Sequence, residues 1–231
     1  MTDYLFDAPE VKSVPVEGES AEYPIHRIFC VGRNYAAHAE EMGFEVDREA
    51  PFYFSKQLHS VLPTGSTLPY PPGTEDFHYE MELAVALGAE VFKGTPEQGA
   101  AAVYAYGCGL DMTRRDQQIA SRNKKRPWML GKDVEGSCVL SPMTKASGFS
   151  VGTQRIHLEV NGAQKQDSTL DLLIHKVPEV IAHLSGFYHL RPGDIILTGT
   201  PEGVSPVVAG DKLTGGIDGL APIALDIGPA E

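Results

Sequence analysis

Apolar residues in this chain come in short runs broken by glycine and proline, and the elements they predict are mostly strands. Ile28-Phe29-Cys30-Val31-Gly32 reads as a short buried strand. Asn34 is placed to cap a short helix, Tyr35 to Met42, that Gly43 stops. Pro51 to Phe54 opens another strand. From 78 to 87 the residues alternate: Tyr79, Met81, Leu83, Val85 and Leu87 share one face, while Glu80, Glu82, Ala84 and Ala86 share the other. That second face changes from carboxylates to small residues, as the wall of a pocket does. Pro96 to Tyr106 reads as a helix feeding a strand at Gly107 to Leu110, and residues 111–135 as loop and helix. Ile156 to Val160, Asn161-Gly162 and the residues beyond form a hairpin. Val177 to Leu184 suits a helix and Asp194 to Thr198 a strand, and the tail adds short strands between glycines. Residues 63–73 are rich in breakers. Because the segment before them lacks a core of its own, they read as a loop inside one domain. The expected organisation is an N-terminal arm over residues 1–25 and a single domain over 26–231. The fold class is α+β, with β predominating.

Charge removes one class of function. With 31 acidic against 19 basic side chains, the net charge is −12, which repels a phosphate backbone and excludes general nucleic-acid binding. The basic residues are unevenly spread: Arg114, Arg115, Arg122, Lys124, Lys125, Arg126 and Lys132 all fall within 111–135. Cys30, Cys108 and Cys138 form no C-x-x-C pair, so neither a disulfide framework nor a zinc site is expected, and a reducing compartment fits. The N-terminus lacks a basic region followed by an apolar stretch, and no apolar run reaches the roughly 18 residues of a membrane span. The expectation is a cytoplasmic protein that engages neither membrane nor nucleic acid.

Several short motifs fail on inspection. Gly131-Lys132 is no P-loop, since Arg126 stands where the first glycine belongs and Asp133 follows. Gly107-Cys-Gly109 lacks the third glycine of a dinucleotide fingerprint, which is Met112 here. Gly148-Phe-Ser150-Val-Gly152 matches the nucleophile-elbow pattern, but a β-patterned hairpin follows it where a helix is required.

Other constellations can carry chemistry. Glu80 and Glu82, two apart on a strand, project from one face and can grip one hard cation; a solvated strand face is the plain alternative. Asp111, at a strand end, would complete an oxygen triad, or else cap a helix. Arg115 and Gln118 share a helical face beyond it, suited to a carboxylate or carbonyl. His38 and Glu41, three apart on a helix, can pair so that the carboxylate orients the imidazole as a base, or they are an exposed helix pair. Lys132 could stabilise an oxyanion. Thr198-Gly-Thr200-Pro-Glu-Gly203 closes a strand with a tight turn that could present Thr200 and backbone N–H groups.

In this order the segments Val31-Gly-Arg33-Asn-Tyr35-Ala-Ala-His38-Ala-Glu-Glu41, His78-Tyr-Glu80-Met-Glu82, Leu110-Asp111-Met-Thr-Arg-Arg115-Asp-Gln-Gln118, Pro127-Trp-Met-Leu-Gly-Lys132 and Thr198-Gly-Thr-Pro-Glu-Gly-Val204 resemble the fumarylacetoacetate hydrolase superfamily. Pro192-Gly-Asp194 also fits. The likeness runs from about residue 26 to the C-terminus and is strongest to the short, single-domain acylpyruvase and fumarylpyruvate hydrolase-like members. It implies a mixed β-roll or sandwich of the type found in that superfamily's C-terminal domain. It also implies a homodimer, and Mg²⁺ or Mn²⁺ held by Glu80, Glu82 and Asp111. The implied catalytic residues are His38, Glu41 and Lys132; Arg33, Arg115, Gln118 and Thr200 are implied to bind substrate. The activity implied is hydrolysis of the C–C bond of small 2,4-dioxo acids, fumarylpyruvate to fumarate and pyruvate foremost. Oxaloacetate decarboxylation and 2-oxo-dienoate isomerisation or tautomerisation are the alternatives on the same metal site. A non-catalytic binding protein on an inherited fold is the alternative of a different class. One departure stands out: relatives commonly follow the lysine with Phe-Asp and a Ser-Ala-Pro-like stretch, where this chain has Asp133-Val134-Glu135-Gly-Ser-Cys138.

Overall fold

The computed structural model describes residues 3–43, 46 and 48–230. In chain order the first elements are β1 (Ser13–Val14), β2 (Tyr23–Pro24), β3 (Arg27–Gly32), α1 (Ala36–Glu41), β4 (Phe52–Lys56), β5 (Val61–Pro63), β6 (Ser66–Tyr70), β7 (Phe77–His78) and β8 (Met81–Leu87). The middle holds α2 (Pro96–Ala101), β9 (Val103–Asp111), β10 (Thr113–Arg114), α3 (Arg115–Asn123), α4 (Met129–Lys132), β11 (Cys138–Leu140) and β12 (Thr144–Lys145). The rest is β13 (Arg155–Val160), β14 (Ala163–Thr169), α5 (Val177–Ser185), β15 (Asp194–Leu197), β16 (Pro206–Val207), β17 (Lys212–Ile217) and β18 (Ile223–Ala230). The α+β, β-rich expectation holds.

Most strands join one of two sheets. A mixed sheet runs β4-β3-β15-β8-β9-β11-β5, with β12 paired to β9; a five-stranded sheet runs β14-β13-β17-β18-β6. Strand β8 sits in the middle of the first sheet and is buried along its whole length. Its odd face, Met81, Leu83, Val85 and Leu87, packs into the main core with Ile156, Leu158 and Leu225 of the second sheet and with α5. The even face was expected to line a pocket beyond its carboxylates. Instead, Ala84 and Ala86 pack in a second core with Ile28, Cys30, Ile195 and Leu197, because β3 and β15 extend the sheet and the N-terminal segment covers it. That segment's β1-β2 ribbon contributes Val14, Val16, Tyr23 and Ile25 to this second core.

The alternation at 78–87 is not one strand. β7 belongs to a small sheet with β10 and β16, and the chain leaves it at Tyr79-Glu80 before entering β8. Glu80 therefore lies at the junction of two sheets. The helix expected over 96–106 ends at Ala101, although Thr95 caps it with a full capping box. Val103 onward pairs with β8 from Leu87 back to Met81. This long antiparallel pairing overrides the helix propensity of the alanines around Ala105. The hairpin turns at Asn161-Gly162, both left-handed with φ of 52° and 77°, as a two-residue loop between twisted strands requires. Ser150 lies on an irregular, exposed segment with no helix after it, so no nucleophile elbow forms. No helix among the described residues is long and apolar enough to cross a membrane.

Candidate active site

The site forms where β8 and β9 begin and end side by side. Asp111 closes β9, and its N–H donates to the Glu80 carbonyl at 2.9 Å, so two motifs 31 positions apart are tied by backbone alone. Glu82, two residues beyond Glu80, points to the same side. One oxygen from each of Glu80, Glu82 and Asp111 lies within 4.8 Å of the others, and all three residues are buried. Three carboxylates so close repel one another, and the surrounding cations offset this unequally. Arg115 pairs with Glu80 at 2.5 Å, and Lys132 Nζ reaches Glu80 at 2.6 Å and Asp111 at 2.7 Å. Burial works against charge on Glu80, yet Lys132 and Arg115 outweigh it and hold that carboxyl well below the usual range. Among the described residues Glu82 has no salt-bridge partner, and the Gly199 N–H donates to it at 2.7 Å. Burial, then Asp111 and Glu80, push its carboxyl well above the ordinary value.

These residues fit a bound cation. Among the described residues the buried Glu82 has no salt-bridge partner, and Asp111 Oδ1 accepts no hydrogen bond, its neighbour being the Lys56 ammonium 2.9 Å away. The donor set is all oxygen with no thiolate, which suits hard Mg²⁺ or Mn²⁺.

Glu80, Glu82, Arg33, His38, Arg115, Gln118, Lys132 and Thr200 line one chamber whose free space is only about 20 Å³, room for one small guest such as a water. Asp111 lies beneath it and Glu41 behind His38. On α1, Tyr35 rather than Asn34 occupies the cap position. Asn34 is instead buried and staples the site: its amide donates to the carbonyls of His175 at 3.0 Å and Thr198 at 2.8 Å. His38 Nδ1 lies 3.1 Å from Glu41 Oε2. A carboxylate only accepts, so Nδ1 carries the hydrogen and Nε2 keeps the lone pair. The Gly203 N–H donates to Glu41 at 3.1 Å, which ties the helix pair to the turn at 198–204. Glu41 is held below the ordinary carboxylate range, chiefly by its bond with His38. A depressed folded value means that this stabilisation is complete above the unfolded value of about 4.3. It is lost as pH falls through the folded value. Urea midpoints of wild type and Glu41→Gln should therefore differ above that pH and converge in acid; a gap independent of pH would show the pair to be energetically silent.

Arg115 and Gln118 meet as expected, the guanidinium donating to the amide oxygen. Lys132 spends its three N–H groups on Glu80, Asp111 and Thr113 Oγ1, so in this arrangement it neutralises carboxylates, and an oxyanion must displace one of them. Thr200 Oγ1 accepts from Gln166 Nε2 at 2.8 Å. Gln166 also accepts from the Met81 N–H and donates to the Pro201 carbonyl, both within hydrogen-bond distance, and so joins the turn to the start of β8. Gly199 makes that turn possible: its φ is +98°, and a Cβ there would sit 2.8 Å from Asn34 Cβ and 3.1 Å from the Val31 carbonyl. Gly199→Ala should cost about 1–3 kcal/mol in strain and displace the N–H that Glu82 accepts; an unchanged urea midpoint would contradict this.

Two buried residues escaped the sequence reading, Gln166 and Lys56. Lys56 ends β4 with its Nζ donating to Ser137 Oγ at 2.6 Å, to the Met112 carbonyl at 3.2 Å and to the Lys132 carbonyl. The unusual 133–138 stretch serves this same corner. Asp133 accepts the Gln57 N–H at 2.8 Å, Val134 is core, and Ser137 receives Lys56. None of the three lines the inner chamber.

Residues 27–227 match the family model described as Fumarylacetoacetate (FAA) hydrolase C-terminal. A fumarylpyruvate hydrolase of Ralstonia sp is 50% identical over 192 residues, 82% of this chain and all of that one. The oxaloacetate tautomerase YcgM of Escherichia coli (strain K12) is 39% identical over 205 residues, 88% of this chain and 93% of that one. The crystal structure of fumarylpyruvate hydrolase from Pseudomonas aeruginosa in complex with Mn²⁺ and pyruvate superposes with a TM-score of 0.95 at 41% identity, covering 98% of this chain and 100% of that one. With the carboxylate cluster and the ordered motifs, these likenesses show that the chain belongs to the fumarylacetoacetate hydrolase family.

Proposed function

We propose that the chain is a metal-dependent hydrolase that cleaves the C–C bond of 2,4-dioxo acids, with fumarylpyruvate, giving fumarate and pyruvate, as the preferred substrate. The observation that carries this reading is a water-activating pair, His38 with Glu41, beside a buried three-carboxylate site. The 50% identity with a fumarylpyruvate hydrolase supports it. Glu80, Glu82 and Asp111 hold Mg²⁺ or Mn²⁺, which when bound supplies Lewis-acid stabilisation of oxygens that gain negative charge. Arg115 and Gln118, with Arg33 and Thr200, orient the substrate's carboxylate and carbonyl groups in the chamber. Glu41 fixes the tautomer of His38, whose Nε2 takes a proton from water as the water attacks the distal carbonyl. Lys132 exchanges one carboxylate partner for the oxyanion that develops there. Collapse of that tetrahedral oxyanion breaks the C–C bond, and the carbon leaving as pyruvate takes up the proton that His38 removed from water.

The same reading makes residues 26–231 the catalytic domain and the enzyme a cytoplasmic homodimer that binds only small acids. Three free, buried thiols suit a reducing compartment. Oxaloacetate chemistry is the competing reading, supported by the 39% identity with a tautomerase, but decarboxylation or tautomerisation of oxaloacetate requires no attacking water. A side-by-side assay with Mg²⁺ or Mn²⁺ separates the two. Fumarylpyruvate cleavage should exceed oxaloacetate turnover in kcat/KM. If oxaloacetate wins by tenfold, about 1.4 kcal/mol in the barrier, the assignment passes to that chemistry.

A further inference from the structure

We infer that a second, basic and aromatic groove outside the inner chamber binds the distal carboxylate of a dianionic substrate, and so sets a preference for diacid over monoacid acylpyruvates. The inference rests on the hydrolase reading and adds a subsite to it. The groove encloses about 570 Å³ and shares Arg33, Phe54 and Trp128 with the chamber. The chamber has free space for about one water, so a flat, extended conjugated substrate reaches out of it, and the adjoining space past Phe54 and Trp128 is the groove that takes its far carboxylate.

There the chemistry changes sign. Arg33, Arg122, Lys125 and Arg126 line the groove, four cations on a chain whose net charge is −12. Asp133, the one carboxylate among the described residues that line it, accepts from the Gln57 N–H and lies 3.5 Å from His59. The walls are flat rings: Phe52 and Trp128 have centroids 4.8 Å apart, and the Arg33 guanidinium lies 4.7 Å over Phe52, flat apolar faces for the conjugated carbons of the acyl chain with basic groups for its carboxylate. Gly32 lets these rings close on the strand, since a Cβ there would meet Phe52 at 2.7 Å. Backbone strain is concentrated here too. Among the described residues four non-glycine ones have positive φ, and two of them are Arg33 at 58° and Lys125 at 54°. Such conformations persist where the surroundings enforce them and cluster at ligand sites. Arg122 is held in place by donating to the Met42 carbonyl at 3.3 Å, at the end of the helix that carries His38.

The test uses the metal-loaded enzyme with fumarylpyruvate and acetylpyruvate as paired substrates. Lys125 and Arg126 are exposed, so the double variant Lys125→Gln/Arg126→Gln should fold, checked by circular dichroism. We expect its fumarylpyruvate-to-acetylpyruvate ratio of kcat/KM to fall about tenfold, carried by KM, with Arg126→Lys largely restoring it. Fumarate, as a ligand without a reacting carbonyl, should inhibit acetylpyruvate cleavage in wild type and about tenfold more weakly in the double variant. The measurements are repeated in about 0.5 M salt, where exposed charges are screened beyond about 5 Å. A ratio unchanged by the substitutions overturns the subsite. So does a difference that vanishes in high salt, which marks distant steering only. Failure of the wild type to cleave either substrate refutes the hydrolase reading instead, and fumarate binding by calorimetry still tests the groove.

Discussion

Replacing Glu82 by Gln should lower turnover about 10³-fold or more while leaving the metal-free protein at least as stable as wild type. Glu82 is buried, has no salt-bridge partner among the described residues, and is repelled by Asp111 and Glu80. Its amide counterpart keeps an oxygen for the Gly199 N–H and removes that repulsion. What it loses is a charged ligand for the cation. Lewis-acid stabilisation is worth several kcal/mol, and each 1.36 kcal/mol is about tenfold in rate. Asp111→Ala should behave differently. That carboxylate stands between Lys132 and Lys56, and its removal takes from the buried Lys56 ammonium the carboxylate 2.9 Å away and leaves Lys132 with Glu80, a loss of about 3–5 kcal/mol. The pair of variants thus separates metal binding from folding. Both should fail to bind Mn²⁺ by calorimetry, but only Asp111→Ala should unfold early in urea. EDTA should silence wild type, and Mg²⁺ or Mn²⁺ should restore it. A Glu82→Gln enzyme with wild-type turnover would remove the triad from the chemistry.

How much of this was legible beforehand depends on how local each signal is. Glu80 falls in a break between β7 and β8 that the alternation over 78–87 does not reveal, whereas strands β8 and β9, which carry Glu82 and Asp111, could be read because side-chain period and breaker placement are local. The pairing of His38 with Glu41 is likewise a three-residue spacing on one helix. Lys56 was invisible because its partners come from Asp111, Met112, Lys132 and Ser137, none near it in sequence. A lysine ending a strand ordinarily snorkels to water. Gln166 was missed for the same reason: a glutamine on a hairpin gives no sign that it will bridge Met81 and Thr200. Asn34 was read by its helix-capping habit, but the 198–204 turn and His175 compete for the same side chain and win. The overlong second helix is propensity overruled by pairing. The basic stretch at 111–135 was visible as composition, yet only the fold divides it. Arg115 and Lys132 turn inward to the carboxylates, while Arg122, Lys125 and Arg126 line an outer groove.

His38→Ala should lower kcat for fumarylpyruvate by about 10²–10⁴-fold, the usual reach of a positioned general base, without weakening Mn²⁺ binding. The imidazole is buried, its Nδ1 is committed to Glu41, and neither residue belongs to the carboxylate cluster. Glu41→Gln should lose nearly as much. An amide can donate to Nδ1 and stabilise the opposite tautomer, in which Nε2 carries the hydrogen and cannot accept one. Because the two side chains act as a unit, the double variant should be scarcely worse than either single one. Oxaloacetate decarboxylation supplies the internal control. It depends on the cation and the substrate's carboxylates, with no water to activate, so any such activity should survive His38→Ala far better than hydrolysis does. Equal loss of both activities would point to damage at the metal centre. Full hydrolysis in His38→Ala would place the base elsewhere in the chamber. The proposed split, hydrolysis lost and metal affinity kept, is what a base beside a cation site must give and what a merely structural histidine cannot.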